Sequence, residues 1–305
     1  MTTNMINAAD AGTWRLGDLA VNRLGFGAMR LPQTGGALVP DAVPRDRGQA
    51  VAVLRRAVEL GVNHIDTAAF YFSPLRSANE LINSALSPYP DGLVIATKVG
   101  PARDASGRWA EHAMTPEALR AQVEENLRQL GRDHLDLVNL RILGSHDRFA
   151  ERFGALAEMR RAGLIRHLGL SNVRPHHVAE AQAIAPVVCV QNPYGIGAFP
   201  EQEEVRGLCE RQGIAFVPFY SLAGTRREGG RSGGDDEPAV GAVARELGAS
   251  PAQIRLAWTL HQGPHVLAIP GTGDLAHLEQ NVAAAAIRLP GEALAALDAL
   301  HRRTA

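Results

Sequence analysis

At 305 residues and 46% hydrophobic, the chain is long enough to bury a substantial core, and a single α/β barrel routinely takes this length. Its formal net charge of −1 gives no reason to expect a nucleic-acid partner, and no apolar run is long enough to span a bilayer. Only two cysteines occur, Cys189 and Cys209, in no redox or metal-ligating spacing, which argues against a disulfide framework and for a reducing compartment, the cytoplasm.

Residues 1–12 are polar, lack the apolar core of a signal peptide and are expected to be disordered. Thr13–Arg23, with Gly17-Asp18 at its centre, reads as a hairpin able to plug a barrel mouth. Leu24–Met29 is the first strand, and Arg47–Leu60 is a helix ended by Gly61. Strands at Val62–Asp66, Leu93–Lys98, Leu135–Leu140, Arg166–Leu170, Val187–Gln191, Ile214–Phe219 and Val266–Ile269 then alternate with helical patterns. The helices fall near Ala78–Leu86, Thr115–Leu130, Phe149–Ala162, Pro175–Ile184, Glu201–Gln212, Ala239–Leu247, Pro251–Leu260 and Leu275–Ala285, with Glu292–Arg303 as a tail helix. Eight strands with eight helical crossovers close more naturally than they extend. The expected fold is α/β: a (β/α)8 TIM barrel with an N-terminal hairpin plug and a C-terminal tail helix, one domain over residues 1–305. Thr225–Pro238, rich in Gly, Arg and Asp, reads as a mobile loop, either a plain connector or a lid over a cofactor.

In such a barrel, chemistry belongs at the C-terminal ends of the strands. Asp66 and Tyr71 follow the second strand, Lys98 ends the third and Arg141 follows the fourth. Ser171 and Asn172 follow the fifth, Gln191 ends the sixth, Phe219 and Tyr220 end the seventh, and Gly271 and Thr272 follow the eighth. Taken singly, Asp66 is a turn cap, Tyr71 a packed aromatic and Lys98 a solvated strand end. Their convergence on one rim, in order, is what sets them apart. The eleven histidines offer no metal signature, since His176 and His177 are adjacent and Gly263-Pro264 breaks any helix face shared by His261 and His265. No metal is expected, and no G-x-S-x-G nucleophile elbow occurs.

The run Gly61-Val-Asn-His-Ile-Asp66-Thr-Ala-Ala-Phe-Tyr71, with Ala96-Thr-Lys98, Gly169-Leu-Ser171-Asn172 and Val190-Gln191-Asn192, resembles the aldo-keto reductase family from Leu24 to Asn281. Pro44-Arg-Asp-Arg47, Gly61–Asp66 and Val138-Asn-Leu-Arg141 look most like its bacterial pyridoxal reductase branch. The resemblance implies an NADPH-dependent reductase, NADH being the alternative cofactor, acting on a small-molecule aldehyde or ketone such as pyridoxal. It further implies a monomer or weak homo-oligomer with no nucleic-acid or membrane partner. Tyr71 would be the proton donor, Lys98 the cation that eases loss of its proton, and Asp66 the carboxylate that aims Lys98.

Two positions depart from the wider family: Arg141 stands where a histidine is common, and Phe72 where glycine commonly follows the tyrosine. Arg141 would stabilise an alkoxide, clamp an anionic substrate group or pair with a local carboxylate. As a second cation beside the phenol, it is expected to help lower the pKa of Tyr71. Phe72 and Arg30 are expected in the substrate pocket.

The resemblance assigns the cofactor to Gly27 and Met29, to Ser171, Asn172 and Gln191, to Phe219, Tyr220, Leu222 and Gly224, and to Ile269, Gly271, Thr272, His277, Gln280 and Asn281. Phe219 would stack on the nicotinamide, or merely fill the barrel. The strip Gly271–Ala276 has the backbone amides of a phosphate site, but the family's lysine and arginine are replaced by Gly271 and His277. That weakens the preference for NADPH unless Arg226 or Arg227 supplies the charge. The rival functions are a non-catalytic, cofactor-binding regulatory subunit and a Schiff-base aldolase using Lys98.

Overall fold

The computed structural model describes residues 6–110, 114–143, 148–222 and 238–303. Strands β1 (Thr13–Leu16) and β2 (Leu19–Asn22) pair antiparallel about Gly17-Asp18. Gly17 has a φ of +64°, and a Cβ there would run into the His167 ring, so only glycine fits this turn. The Asp18 carboxylate accepts hydrogen bonds from Arg166 at 2.5 Å and His167 at 2.6 Å, which ties the hairpin to the barrel floor.

Strand β3 (Phe26–Gly27) follows, then a two-rung ladder of β4 (Gln33–Thr34) with β5 (Val43–Pro44). Helix α1 (Arg47–Glu59) starts where the Asp46 carboxylate accepts from the Gln49 N–H at 2.8 Å. Next come β6 (His64–Asp66), a small ladder of β7 (Phe72–Ser73) with β8 (Arg76–Ser77), α2 (Ala78–Leu86) and β9 (Val94–Val99). Helix α3 (Pro116–Leu130) has Thr115 as its cap, proline at its first position and left-handed Gly131 at its end. Then follow β10 (Leu135–Arg141), α4 (Phe149–Arg161), β11 (Ile165–Ser171), α5 (Pro175–Gln182), β12 (Val187–Gln191), α6 (Glu203–Gln212) and β13 (Ala215–Phe216). Helices α7 (Pro238–Glu246), α8 (Pro251–His261), α9 (Leu275–Ala283) and α10 (Gly291–Arg303) complete the described chain. No described helix is long and apolar enough to cross a membrane.

The main sheet is parallel, in the order β13-β12-β11-β10-β9-β6-β3. Residues 266–269 close it, bridging Phe216 on one side and Leu24 on the other. Leu267 N–H donates to the Phe216 carbonyl at 2.9 Å, and Ala268 N–H to the Arg23 carbonyl at 2.8 Å. The expected (β/α)8 barrel is therefore present, its eighth strand reduced to this bridging segment. The first strand is also shorter than Leu24–Met29: the chain bends into a 3₁₀ turn at Ala28–Arg30 directly after Gly27. Leu16, Val21, Val94, Leu137, Cys189 and Leu267 fill the barrel, and a larger apolar layer separates the sheet from the helices.

The expectation of disorder over residues 1–12 is corrected for residues 6–12. Asn7 caps a 3₁₀ turn at Ala8–Ala11, Ala8 and Ala11 are buried, and Ala8 N–H donates to the Leu60 carbonyl at 2.8 Å. Small alanines carry no hydrophobic pattern, so this docking is invisible in sequence. Residues 1–5, and all of the expected mobile loop over 225–238 except Pro238, which opens α7, lie outside the described residues.

Helices α6 and α10 meet at Glu203, whose carboxylate accepts from Tyr194 at 2.5 Å and from Arg206 at 2.8 Å, with His301 at 3.2 Å. Burial alone would raise the Glu203 pKa, but hydrogen bonds from His301, Tyr194 and Arg206 outweigh it and hold the group at about 2. A depressed carboxylate adds stability that is present above the ordinary value of 4.5 and is lost as the pH falls towards 2. Urea unfolding at pH 7 and pH 3 should therefore show a smaller acid loss in Glu203→Gln, by about 1–2 kcal/mol once solvent screening of a partly exposed group is allowed for. Identical acid losses in the two proteins would refute the pairing.

Candidate active site

Alternate residues of a strand share a face, so the barrel's inward residues form stacked layers. The uppermost layer of described inward residues contains Asp66 of β6, Lys98 of β9, Arg141 of β10, Ser171 of β11 and Gln191 of β12. Above them opens a cavity of about 730 Å³.

Lys98 Nζ donates to Asp66 Oδ1 at 2.5 Å and to the Thr67 carbonyl at 3.1 Å, while Gln191 Nε2 donates to Asp66 Oδ2 at 2.5 Å. All three side chains are buried. Burial would lower the Lys98 pKa, but the Asp66 carboxylate and Tyr71 outweigh it and hold the ammonium above its ordinary value. Tyr71 lies on the same floor, edge-on to Phe70 at 5.0 Å, with Lys98 Nζ 4.9 Å from its ring centre.

The expected fall in the Tyr71 pKa is corrected. Burial raises the phenol above its ordinary value; Lys98 and Arg141 pull it down, Asp66 pushes it up, and the net shift is upward. Two cations do not offset the loss of water around a buried hydroxyl. Tyr71 is consequently a fully protonated donor at neutral pH.

Arg141 makes no ion pair with any described carboxylate. Its Nη1 donates to Ser171 Oγ at 3.0 Å, and its guanidinium lies 4.8 Å from the centre of the Phe219 ring. A cation beside Tyr71 with no carboxylate partner among the described residues is suited to an oxygen anion.

The cavity is also lined by the predicted Gly27, Met29, Arg30, Phe219, Tyr220, Leu222, Ile269, Gly271, Thr272 and His277. Tyr220 has a φ of +66° and Asn172 one of +60°; the left-handed backbone is costly for tyrosine, which asparagine tolerates better. Ser171 and Asn172 sit at the rim behind the lining, Asn172 Nδ2 donating to the Ile142 carbonyl at 2.7 Å. Gln280 and Asn281 lie along α9, away from the lining. Phe72 is not brought into this cavity. It belongs to the β7–β8 ladder, stacks under Arg103 at 4.4 Å and faces a separate depression with Arg76, Glu80 and Asp104. Gly224, Arg226 and Arg227 lie outside the described residues.

Other lining residues were not anticipated. Phe70 and Trp109, 5.7 Å apart, form an aromatic wall with Leu143 nearby, and Ala37, Leu38 and Arg45 approach from the β4–β5 ladder. The quoted Pro44–Arg47 motif carried Arg45, but nothing in it showed the direction of the side chain.

The residues present fit a dinucleotide. Gln191 Oε1 is buried without a hydrogen-bond partner, as a carboxamide-binding group would be before its ligand arrives. A Cβ on either Gly27 or Gly271 would strike the backbone of the other segment, so both strands reach the cavity as bare backbone. Thr272 and Gly273 then lead into α9, whose first turn is capped by Asp274.

Residues 23–302 match the aldo/keto reductase family. The chain is 44% identical over 298 residues to pyridoxine 4-dehydrogenase of Escherichia coli (strain K12), covering 96% of this chain and 99% of that one. It is 30% identical to probable aldo-keto reductase 1 of Glycine max, covering 95% and 87%. Among solved structures, an aldo-keto reductase from Klebsiella pneumoniae in complex with NADPH superposes with a TM-score of 0.77 at 27% identity, covering 95% of this chain and 94% of that one.

Proposed function

Because this chain belongs to the aldo/keto reductase family, we propose that it reduces an aldehyde or ketone to the alcohol, NADPH supplying the hydride and Tyr71 the proton. The observation that carries the reading is the buried Asp66–Lys98 pair on the cavity floor beside a protonated Tyr71. A carbonyl oxygen becomes basic as it is reduced, and a phenol hydrogen-bonded to it can release its proton. Lys98 and Arg141 then stabilise the phenolate left behind, and Asp66 keeps the ammonium charged and aimed.

The substrate we favour is a small aromatic aldehyde such as pyridoxal. The likeness to pyridoxine 4-dehydrogenase supports it, as do the Phe70–Trp109 wall and the position of Arg141. Pyridoxal carries a readily ionised, phenol-like hydroxyl on its ring next to the aldehyde, and Arg141 is placed to pair with its anion.

A panel of aldehydes assayed for NADPH and NADH oxidation tests the function. Saturable cofactor binding with no turnover on any aldehyde would favour a regulatory subunit instead. The aldolase alternative is disfavoured because Lys98 is held as a charged ammonium, the reverse of what a Schiff-base nucleophile needs.

Arg141→Met is expected to raise KM for pyridoxal roughly tenfold while changing KM for benzaldehyde by less than about threefold. Equal changes on both aldehydes would remove the anion-pairing role of Arg141.

A further inference from the structure

The strip Gly271–His277 has no lysine or arginine, yet a guanidinium lies directly upon it. Arg45 follows β5, and its Nη1 donates to the Gly273 carbonyl at 3.2 Å. Its Nη2 donates to the Gln33 carbonyl at 3.1 Å and reaches the Arg30 carbonyl at 3.5 Å. A Cβ on Gly273 would fall inside the guanidinium, so glycine at 273 is what admits the arginine. Arg45 lines the main cavity and its Nε is buried with no hydrogen-bond partner. Among the described residues, Asp274, of opposite sign, and Arg30, of like sign, act on its charge.

We propose that Arg45 is the residue that recognises the 2′-phosphate of NADPH, supplying from the β4–β5 side the cation that the strip itself lacks. The inference rests on the cofactor reading above. A guanidinium held against Gly273 places a fixed positive charge beside the backbone amides that lead into α9, and together they suit a phosphate dianion. A neutral ribose hydroxyl at the same place gains far less from a fixed cation. Selectivity for NADPH over NADH then resides in a residue more than two hundred positions from the strip in sequence.

The test is calorimetry on the cofactor-free protein with 2′,5′-ADP and 5′-AMP, which share the adenosine and 5′-phosphate but differ in the 2′-phosphate. Arg45→Gln should weaken 2′,5′-ADP about tenfold and leave 5′-AMP within about twofold, and Arg45→Lys should recover most of the loss. Thermal melts of the variants establish that they are folded, and Gly273→Ala, which displaces the guanidinium without removing it, should reproduce the selective loss. Parallel losses for both nucleotides, or no loss for either, would overturn the assignment. If the unaltered protein binds neither of these nor NADPH, the cofactor reading itself fails, which is a separate outcome from a failure of Arg45.

Discussion

Replacing Tyr71 with phenylalanine is expected to lower turnover by roughly 10²–10⁴-fold, the range that general acids supply, with NADPH affinity nearly unchanged. The substitution removes one oxygen and keeps the ring, so the edge contact with Phe70 survives. The hydroxyl belongs to a side chain whose burial raises its pKa, and so it remains protonated across the neutral range. Reduction by the unaltered protein should accordingly show no basic limb until well above pH 7, because the acid form is the active one. Steady-state kinetics and equilibrium binding on the same variant separate the two quantities. Near-full turnover in Tyr71→Phe on every aldehyde that the protein reduces would end the proposed mechanism.

Lys98→Met should do comparable damage to turnover and, unlike the tyrosine variant, should destabilise the fold. It leaves Asp66 buried with Gln191 but without its ammonium partner, and orphaning one member of a buried ion pair costs about 3–5 kcal/mol. The double variant Asp66→Asn, Lys98→Met removes both charges and should regain much of that stability while recovering no activity. Urea unfolding of the single and double variants measures this. A Lys98→Met protein as stable as the unaltered one would mean that the pair is not the buried, dry contact its geometry describes.

The rim was legible in the sequence because each of its residues follows a β-branched or leucine-rich run, and such runs mark buried parallel strands. Asp66, Lys98, Arg141 and Gln191 could be placed at one end of a barrel by counting alone. What could not be read was depth and direction. The Tyr71 pKa depends on how much water the folded chain removes from a phenol, and no spacing rule states that. Phe72 was drawn to the pocket by its neighbour, yet the β7–β8 ladder turns its ring under Arg103. The position of Arg45 is not legible in its Pro44–Arg47 motif, because it meets Gly273 only when the β4–β5 ladder folds back across residues distant in sequence. Ala8 and Ala11 were assigned to a disordered end because alanine is equally at home in solvent and in a core.

The barrel seam has a consequence for how the site comes into being during synthesis. Residues 24–27 must wait for residues 266–269 before their backbone groups are satisfied, and Gly27 faces Gly271 across that same seam. Every other junction of the sheet joins strands made in close succession. The ribosome therefore delivers the Asp66–Lys98 pair well before the closing segment and the strip beyond it. Until then a sheet paired in this order would keep two unpaired edges, at residues 24–27 and at residues 215–216. The cavity wall at Gly27 and Gly271 is assembled only in the step that joins those edges.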